Sequence, residues 1–199
     1  MSDRNTYIHG TAPSEQQRLA TLNRLTNTAF LEFLNVQPGM HVLEVGSGIG
    51  LLTCAVARSA RDVKVVGVEQ SLDQIRSAAT DPAVQYVQGD AHRLDFPDGS
   101  FDLVFARYLL EHVANPEAVI REMRRVTRPG CRVAACENDE SLIRFDPRCP
   151  LFEAVWKAFQ QHQENLGGDS HIGTRLYGLF HKAGLSRVEL SVQPEIHWH

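Results

Sequence analysis

The 199-residue chain has no long apolar run and no excess of basic residues. No stretch approaches the ~18 consecutive apolar residues of a membrane-spanning helix, and the N-terminal MSDRNTYIHG lacks the apolar core of a signal peptide. Lys and Arg number 20 against 24 Asp and Glu, a net charge of -4. These absences argue against membrane and nucleic-acid partners and predict a cytoplasmic protein.

Cysteine is scarce and is not spaced for metal binding. Its four positions are Cys54, Cys131, Cys136 and Cys149, and no two of them form a C-x-x-C pair. Zinc sites usually show such spacing, so we predict no metal site. Free cysteine is commonly found in protein interiors, and we therefore expect reduced, mostly buried thiols.

Strand and helix patterns alternate along the chain after an irregular arm. The predicted strands are HVLEV, VKVVGVE, AVQYVQ, FDLVFA, CRVAACE and SRVELSVQ, separated by stretches with helical spacing of apolar residues. Alternation of this kind predicts an α/β fold, a doubly wound Rossmann-like sheet that is mostly parallel with helices on both faces. We expect one domain over 1–199, with an arm and helix at 1–37, a core at 38–140 and later helices at 141–199.

VLEVGSGIG at 42–50 places Gly46, Gly48 and Gly50 directly after a predicted buried strand. Glycine permits a tight turn and a close approach of the backbone to a ligand. In doubly wound sheets, ligands bind where the carboxyl ends of strands meet helix N-termini. A nicotinamide-binding fingerprint would need its third glycine at position 51, which is Leu51, and the lysine of a phosphate-binding P-loop is absent too.

Acidic residues follow the next two predicted strands. Glu69 ends VKVVGVE, where a carboxylate can accept hydrogen bonds from both hydroxyls of a ribose. Asp90 follows AVQYVQ and Gly89, where a carboxylate can accept a hydrogen bond from the exocyclic amine of adenine. An adenine-containing cofactor fits both acids.

Together these motifs resemble the class I S-adenosylmethionine-dependent methyltransferases, and above all the bacterial Ubi-like group that acts on small molecules. The resemblance spans about residues 7–192. It rests on YIHG at 7–10, VLEVGSGIG, the acid Glu69, GDA, the stretch FDLVFARYLLEHVANPEAVIREMRRVTRPG, ENDE at 137–140 and HIGTRLYGLFHKAGL. It implies a methyltransferase sheet with S-adenosylmethionine as cofactor and S-adenosylhomocysteine as product.

The resemblance also implies roles for individual residues. The three glycines and Ser47 would surround the methionine part of the cofactor, and Glu44 would orient its amino end. Glu69 would bind the ribose, and Asp90 and Ala91 the adenine.

Three further cofactor residues have an alternative role. Tyr7 would fold over the cofactor as part of a lid, or belong to a loose terminus. Gln70 would pack beside the adenine, or be solvated in a first helical turn. Arg107 would lie near the cofactor's amino group, reach an anionic substrate, or pair with an acid at the pocket rim.

His112, Glu137 and His171 are the catalytic candidates. His112 can take a proton near neutral pH, although LEH recurs in the family among members with different substrates, which favours a structural role. Glu137, like Asp139, would act as a base or bind a substrate cation, or else would cap a helix. His171 follows GGDS in the region expected to face the substrate.

The reaction implied is direct, in-line transfer of a methyl group to an oxygen, nitrogen or carbon nucleophile of a small molecule. A general base is required only when the nucleophile holds its proton tightly. The region 151–185 would form the acceptor pocket with the N-terminal arm, and its aromatic residues suit an apolar or aromatic acceptor or the core. The [DNS]-P-P-[YFW] motif of base-modifying amino-methyltransferases is replaced by ARYL.

An alternative is a cofactor-binding protein of this fold that transfers no methyl group, because fold does not determine function. In addition, only PEIHWH follows the predicted sixth strand, so the final antiparallel strand of the fold has no counterpart. This predicts either a truncated chain or a homodimer whose partner supplies the strand.

Overall fold

The computed structural model describes residues 13–192. Tyr7 and the end of the chain lie outside the described residues. The helices are α1 Pro13–Leu34, α2 Leu51–Ser59, α3 Leu72–Arg76, α4 Pro116–Val126, α5 Pro150–Asn165 and α6 Ile172–Lys182. The strands are β1 His41–Val45, β2 Lys64–Glu69, β3 Val84–Gln88, β4 Phe101–Arg107 and β5 Thr127–Cys136.

The five strands form one sheet in the order β3-β2-β1-β4-β5, and every neighbouring pair is parallel. The chain runs outward from β1 to β3 on one side and crosses back to β4 on the other. This reversal puts a crevice beyond the carboxyl ends of β1 and β4, where α/β sheets bind ligands. The predicted fold class is confirmed.

Helices cover both faces of the sheet, which explains the nearly continuous apolar sequence of its central strands. Along β1, Val42 packs toward one face and Leu43 toward the other, since successive side chains of a strand alternate. One core lies beneath α1 and α2, and it includes Phe30, Leu34, Leu52, Val56, Leu103 and Phe105. The other lies beneath α4 and α6, and it includes Val104, Val119, Ile120, Met123, Ile172 and Leu176.

The predicted sixth strand, SRVELSVQ, is wrong over the residues that the structure describes. Residues 186–192 contain no strand, and Leu190 and Val192 are exposed. The alternation of apolar and polar residues resembles a strand, but a strand forms only when its backbone pairs with a neighbour. The homodimer expected to complete the sheet stays a prediction.

The expectation of mostly buried thiols is only half correct. All four cysteines are free; Cys54 is buried and Cys136 half-buried, whereas Cys131 and Cys149 are exposed. Cys131 lies in the solvent-facing part of β5, and Cys149 precedes the first turn of α5. Within residues 13–192, no helix is both long and apolar enough to cross a membrane.

Candidate functional site

A cleft of about 2350 Å³ runs along the carboxyl edge of the sheet. It is lined by the glycine loop and by residues that follow β2, β3, β4 and β5, together with part of α1. Most of the predicted site residues line it: Glu44, Gly46, Ser47, Gly48, Glu69, Gln70, Asp90, Ala91, Arg107, His112 and Glu137. Gly50 and His171 are not among the lining residues.

The glycine loop is held against the end of β2. The amides of Gly46 and Ser47 both donate to the carbonyl of Val68, with N···O distances of 2.8 and 3.0 Å. The three glycines have φ values of 79°, 55° and 71°, a left-handed conformation that side chains with a Cβ resist. Alternate left-handed residues turn the chain sharply from β1 into α2.

Gly50 is needed for packing behind the loop. A Cβ on this residue would lie 1.9 Å from the Tyr86 hydroxyl oxygen, which itself donates to the carbonyl of Ala79 at 2.7 Å. The structure therefore gives Gly50 a role in seating α2 against β3, and its predicted contact with the cofactor stays a prediction.

The Glu69 carboxylate joins the glycine loop to the start of α3. One oxygen accepts from the Gly48 amide at 3.0 Å and the other from the Ser71 amide at 2.9 Å. A carboxylate has about four lone-pair sites, so these two bonds leave capacity for two hydroxyl donors. Glu69 thus lies on the rim of the cleft in a position to bind a ribose.

Asp90 stands at the neighbouring strand end and is ionised. Its Oδ1 accepts from the His92 amide at 2.9 Å and lies 2.8 Å from His92 Nδ1. The backbone hydrogen bond from His92 is the main cause that holds the pKa of Asp90 below its usual range. Ala91 follows it on the cleft wall, and Gln70 is exposed beside it, with its carbonyl accepting from Gln88 Nε2 at 3.1 Å.

Glu44 is a carboxyl group inside the sheet, with only 3% of its surface exposed. Burial raises its pKa to about 8, against the opposing effects of a hydrogen bond from Thr53 and the nearby charge of Arg107. Thr53 Oγ1 donates to Glu44 Oε2 at 2.5 Å. A carboxyl kept at this depth, beside the cleft, can respond to a cationic group of a ligand.

Arg107, the last residue of β4, fastens α1 over the sheet. Its guanidinium donates to Asn23 Oδ1 at 2.5 Å, Asn27 Oδ1 at 2.8 Å and Thr26 Oγ1 at 3.4 Å. It also lies 5.5 Å from the ring centre of Phe30, within range of a cation–π contact. The partners observed are therefore amide and hydroxyl oxygens of α1 and not the acid at the pocket rim, which was one of the three predicted alternatives. The predicted position near the cofactor's amino group stays a prediction.

Replacing Arg107 by Met is expected to lower the free energy of unfolding by about 2–3 kcal/mol, because buried hydrogen bonds to a charged group are lost. Hydrogen exchange should show the amides of α1 exchanging faster. Arg58→Met, which removes an exposed ion pair with Asp81, should cost less than about 1 kcal/mol. Equal costs for the two variants would contradict the fastening role of Arg107.

Glu137 caps a turn. Capping was the predicted alternative to a catalytic role for this residue. Its carboxylate accepts from the amides of Leu109, Leu110 and Glu111 at 3.1, 2.9 and 3.4 Å, at the start of the 3-10 turn Leu110–His112. Burial, reinforced by the charge of Glu111, raises its pKa to about 8. Because backbone donors occupy both oxygens, Glu137 positions the turn and is poorly placed as a base.

The two histidine candidates have different surroundings. His112 is half-buried, lines the cleft, and has Nε2 3.5 Å from Glu111 Oε1. The His171 side chain is 46% exposed, 3.8 Å from Asp139 and 4.0 Å from Glu164. The ring of His171 lies beside these two acids at the beginning of α6 and outside the cleft lining, and its catalytic role stays a prediction.

Sequence reasoning missed three buried polar residues, namely Glu111, Glu140 and Gln163. Glu111 and Glu140 line the cleft, and Gln163 lies beneath them on α5. The only signal for Gln163 was its helical spacing from Phe159 and Leu166, which would put a polar side chain on an apolar face. The two acids stand next to residues that we did select, His112 and Asp139.

Residues 43–135 match the model of a family described as "Methyltransferase domain". A demethylmenaquinone methyltransferase of Mycobacterium tuberculosis is 38% identical over 126 residues, which cover 63% of this chain and 50% of that protein. These matches support the assignment of this domain to the class I S-adenosylmethionine-dependent methyltransferases. It spans about half the length of the curated relatives that it matches.

Solved structures agree with the fold. A SAM-dependent methyltransferase from Aquifex aeolicus has the same fold, with a TM-score of 0.65 at 16% identity over 88% of this chain and 89% of that one. The [4+2]-cyclase SpnF is 30% identical with a TM-score of 0.53, over 58% of this chain and 44% of the other. The family, its Ubi-like group, the fold and the S-adenosylmethionine cofactor predicted from the sequence are confirmed.

The residues around the glycine loop fit this cofactor. Ser47 Oγ is buried and has no hydrogen-bond partner among residues 13–192, so it is available to a polar ligand group. Glu69 retains acceptor capacity, and Asp90 is ionised. The specific roles of these residues remain predictions.

Proposed function

We propose that the protein transfers the methyl group of S-adenosylmethionine to a small-molecule acceptor. The observation that carries the proposal is the position of Glu69, whose carboxylate bridges Gly48 and Ser71 at the crevice where the strand order reverses. The mycobacterial relative is a demethylmenaquinone methyltransferase, which supports a ring-containing acceptor of the quinone class.

In this proposal, the glycine loop and Ser47 hold the methionine part of the cofactor and Glu44 faces its amino end. Glu69 binds the ribose, while Asp90 and Ala91 bind the adenine beside Gln70. The cofactor, once bound, supplies a sulfonium-activated methyl group. The protein then has to align the acceptor and exclude water, which can account for several kcal/mol of the barrier.

Aromatic side chains on α5 form part of the wall available to the acceptor. Trp156 stacks between Phe152 and Phe159, with ring centres 5.5 and 5.2 Å apart. Trp156 and Phe159 line the cleft. A flat, apolar acceptor would pack against this surface.

A second candidate is cofactor binding without methyl transfer. It is supported by the similarity to SpnF, a protein of this fold that is named as a [4+2]-cyclase. The two candidates share the cofactor site and differ in the outcome of an acceptor screen. A cytoplasmic location and a homodimer are retained as predictions.

Calorimetric titration with S-adenosylhomocysteine tests the cofactor site. We expect micromolar binding that Glu69→Ala weakens by tenfold or more, about 1.4 kcal/mol. Glu117→Ala, which removes an ion pair with Arg121 on α4, should bind like wild type. Absence of binding to the folded wild type, or equal binding by Glu69→Ala, would contradict the proposal.

A further inference from the structure

Two buried acids line the cleft beyond the ends of β4 and β5. Glu111 lies in the turn Leu110–His112 and Glu140 begins the turn Glu140–Leu142, and they are 5% and 8% exposed. Neither belongs to the predicted cofactor site. Burying a carboxyl group is unfavourable unless it finds hydrogen-bond donors or a cation, so the partners of these acids are informative.

Glu111 has hydrogen-bond partners, whereas one carboxylate oxygen of Glu140 has none among residues 13–192. Gln163 Nε2 lies 3.5 Å from Glu111 Oε2. Burial raises the pKa of Glu111, against the opposing effects of this hydrogen bond and of the charge of Arg18. Glu140 Oε2 is enclosed and accepts no hydrogen bond from the part of the chain that the structure describes.

Gln163 provides a second, independent observation. It is 2% exposed, its amide nitrogen is directed at Glu111, and its Oε1 likewise has no partner within residues 13–192. Two buried acceptor oxygens around one cluster are costly to leave unpaired. Of the two residues, Glu140 lines the cleft, so a ligand that brings a hydrogen-bond donor there could satisfy its carboxylate.

The surroundings of Glu140 indicate what kind of donor it would be. Trp156 Nε1 donates to the backbone carbonyl of Glu140 at 3.1 Å, and Glu140, Trp156 and Phe159 all line the cleft. An acidic group beside an aromatic wall suits a flat ring that carries a hydroxyl group, with the ring on the wall and the hydroxyl on the carboxylate.

We propose that Glu140, supported by Glu111 and Gln163, binds an aromatic hydroxyl group of the methyl acceptor and takes up its proton during transfer. This inference rests on the proposed methyl transfer. The nucleophilic atom of the acceptor forms the bond to the methyl carbon. The carbon–sulfur bond breaks with its electron pair on sulfur, and the hydroxyl proton ends on the carboxylate of Glu140.

The protonation equilibrium of Glu140 is consistent with this role. Burial, and secondly the charge of Glu111, raises its pKa to about 7, and a base with a pKa near the working pH is effective in proton transfer. A hydroxyl donor binds the ionised form better, so its affinity should increase as pH rises through about 7. Other titratable or charged groups around the cluster are Arg18, Glu111, His112, Glu137, Asp139, Glu164 and His171.

The test uses the full chain saturated with S-adenosylhomocysteine and compares the binding of 2-naphthol with that of its methyl ether, 2-methoxynaphthalene, by calorimetry. We expect wild type to bind naphthol about tenfold or more tightly than the ether, because naphthol can donate a hydrogen bond to a charged group. This ratio of affinities should be larger at pH 8 than at pH 6. Glu140→Gln should lose most of this preference and its pH dependence. Glu153→Gln, an exposed acid on α5 that pairs with Arg148, should keep both.

Binding of S-adenosylhomocysteine by Glu140→Gln reports that the variant is folded. Should this variant not fold, the comparison of 2-naphthol with its methyl ether in wild type still tests whether the cleft prefers a hydroxyl group. Absence of naphthol binding or of a hydroxyl preference in wild type, or a preference that persists in folded Glu140→Gln, would overturn the role of Glu140. Failure of the proposed function is a separate result, namely wild type that does not bind S-adenosylhomocysteine.

Discussion

Gly50→Ala is expected to lower the free energy of unfolding by about 3 kcal/mol or more, as in other cases of severe overpacking. The added Cβ would lie 1.9 Å from the hydroxyl oxygen of Tyr86 and 2.6 Å from its Cζ. The ring cannot easily withdraw, because its hydroxyl is hydrogen-bonded to the Ala79 carbonyl. The residue also has φ of 71°, which adds backbone strain. Urea unfolding measures the loss.

Gly39→Ala is the matched control for this variant. Gly39 has a similar φ of 80°, but a Cβ placed there would meet nothing within 4 Å. Its cost should be the backbone strain alone, about 1–2 kcal/mol. If both variants lost the same stability, the contact with Tyr86 would not be the reason for glycine at position 50, and close approach to the cofactor would become the better explanation.

Glu44→Gln is expected to stabilise the protein at alkaline pH while weakening the binding of S-adenosylhomocysteine. Burial raises the pKa of Glu44 from 4.5 to about 8. Between these values the folded state retains a proton that the unfolded state releases, so stability falls as pH rises. Glutamine has the same shape and does not ionise. Since one pKa unit corresponds to about 1.4 kcal/mol, the difference between these two pKa values predicts a gain of about 5 kcal/mol well above pH ~8.

Urea unfolding of wild type and Glu44→Gln at several pH values checks the stability prediction. Below pH ~4 the carboxyl is protonated in both states, so the two proteins should differ little there, which serves as an internal control. Calorimetry at pH 7.5 should show weaker binding of S-adenosylhomocysteine by the variant. A stability difference that does not vary with pH would mean that Glu44 ionises normally in the folded protein.

The strand ends and the glycine loop were predictable because their pattern is local. Gly46 and Gly48 follow a buried strand, and Glu69 and Asp90 end the next two strands. Parallel strands bring their carboxyl ends to one edge of a sheet, so these residues had to meet once the alternation of strands and helices was recognised. The same local pattern failed for SRVELSVQ, because strand formation requires a pairing partner that sequence periodicity does not report.

The assignment of individual roles was less predictable because it depends on partners far apart in the chain. Arg107 binds side chains of α1 about eighty positions earlier, and Gln163 contacts Glu111 fifty-two positions away. Glu137 was selected as a candidate base by its position after β5, yet its oxygens accept from the amides of the turn after β4. The number of hydrogen-bond donors that a carboxylate receives is known only once the carboxylate and the segment that supplies the donors are both placed in the fold.

The amino-acid sequence by itself determined the family, the order of strands and helices, the parallel sheet and the edge at which a cofactor would bind. Those properties arise from the periodicity of apolar residues and from short motifs, both of which depend only on residues close together in the sequence. The tertiary structure alone decided that Gly50 faces Tyr86 and that His171 lies outside the cleft. It also decided that Glu140 and Gln163 each keep an oxygen without a partner among the described residues. These facts depend on burial and on contacts between distant segments, which exist only once the chain has folded.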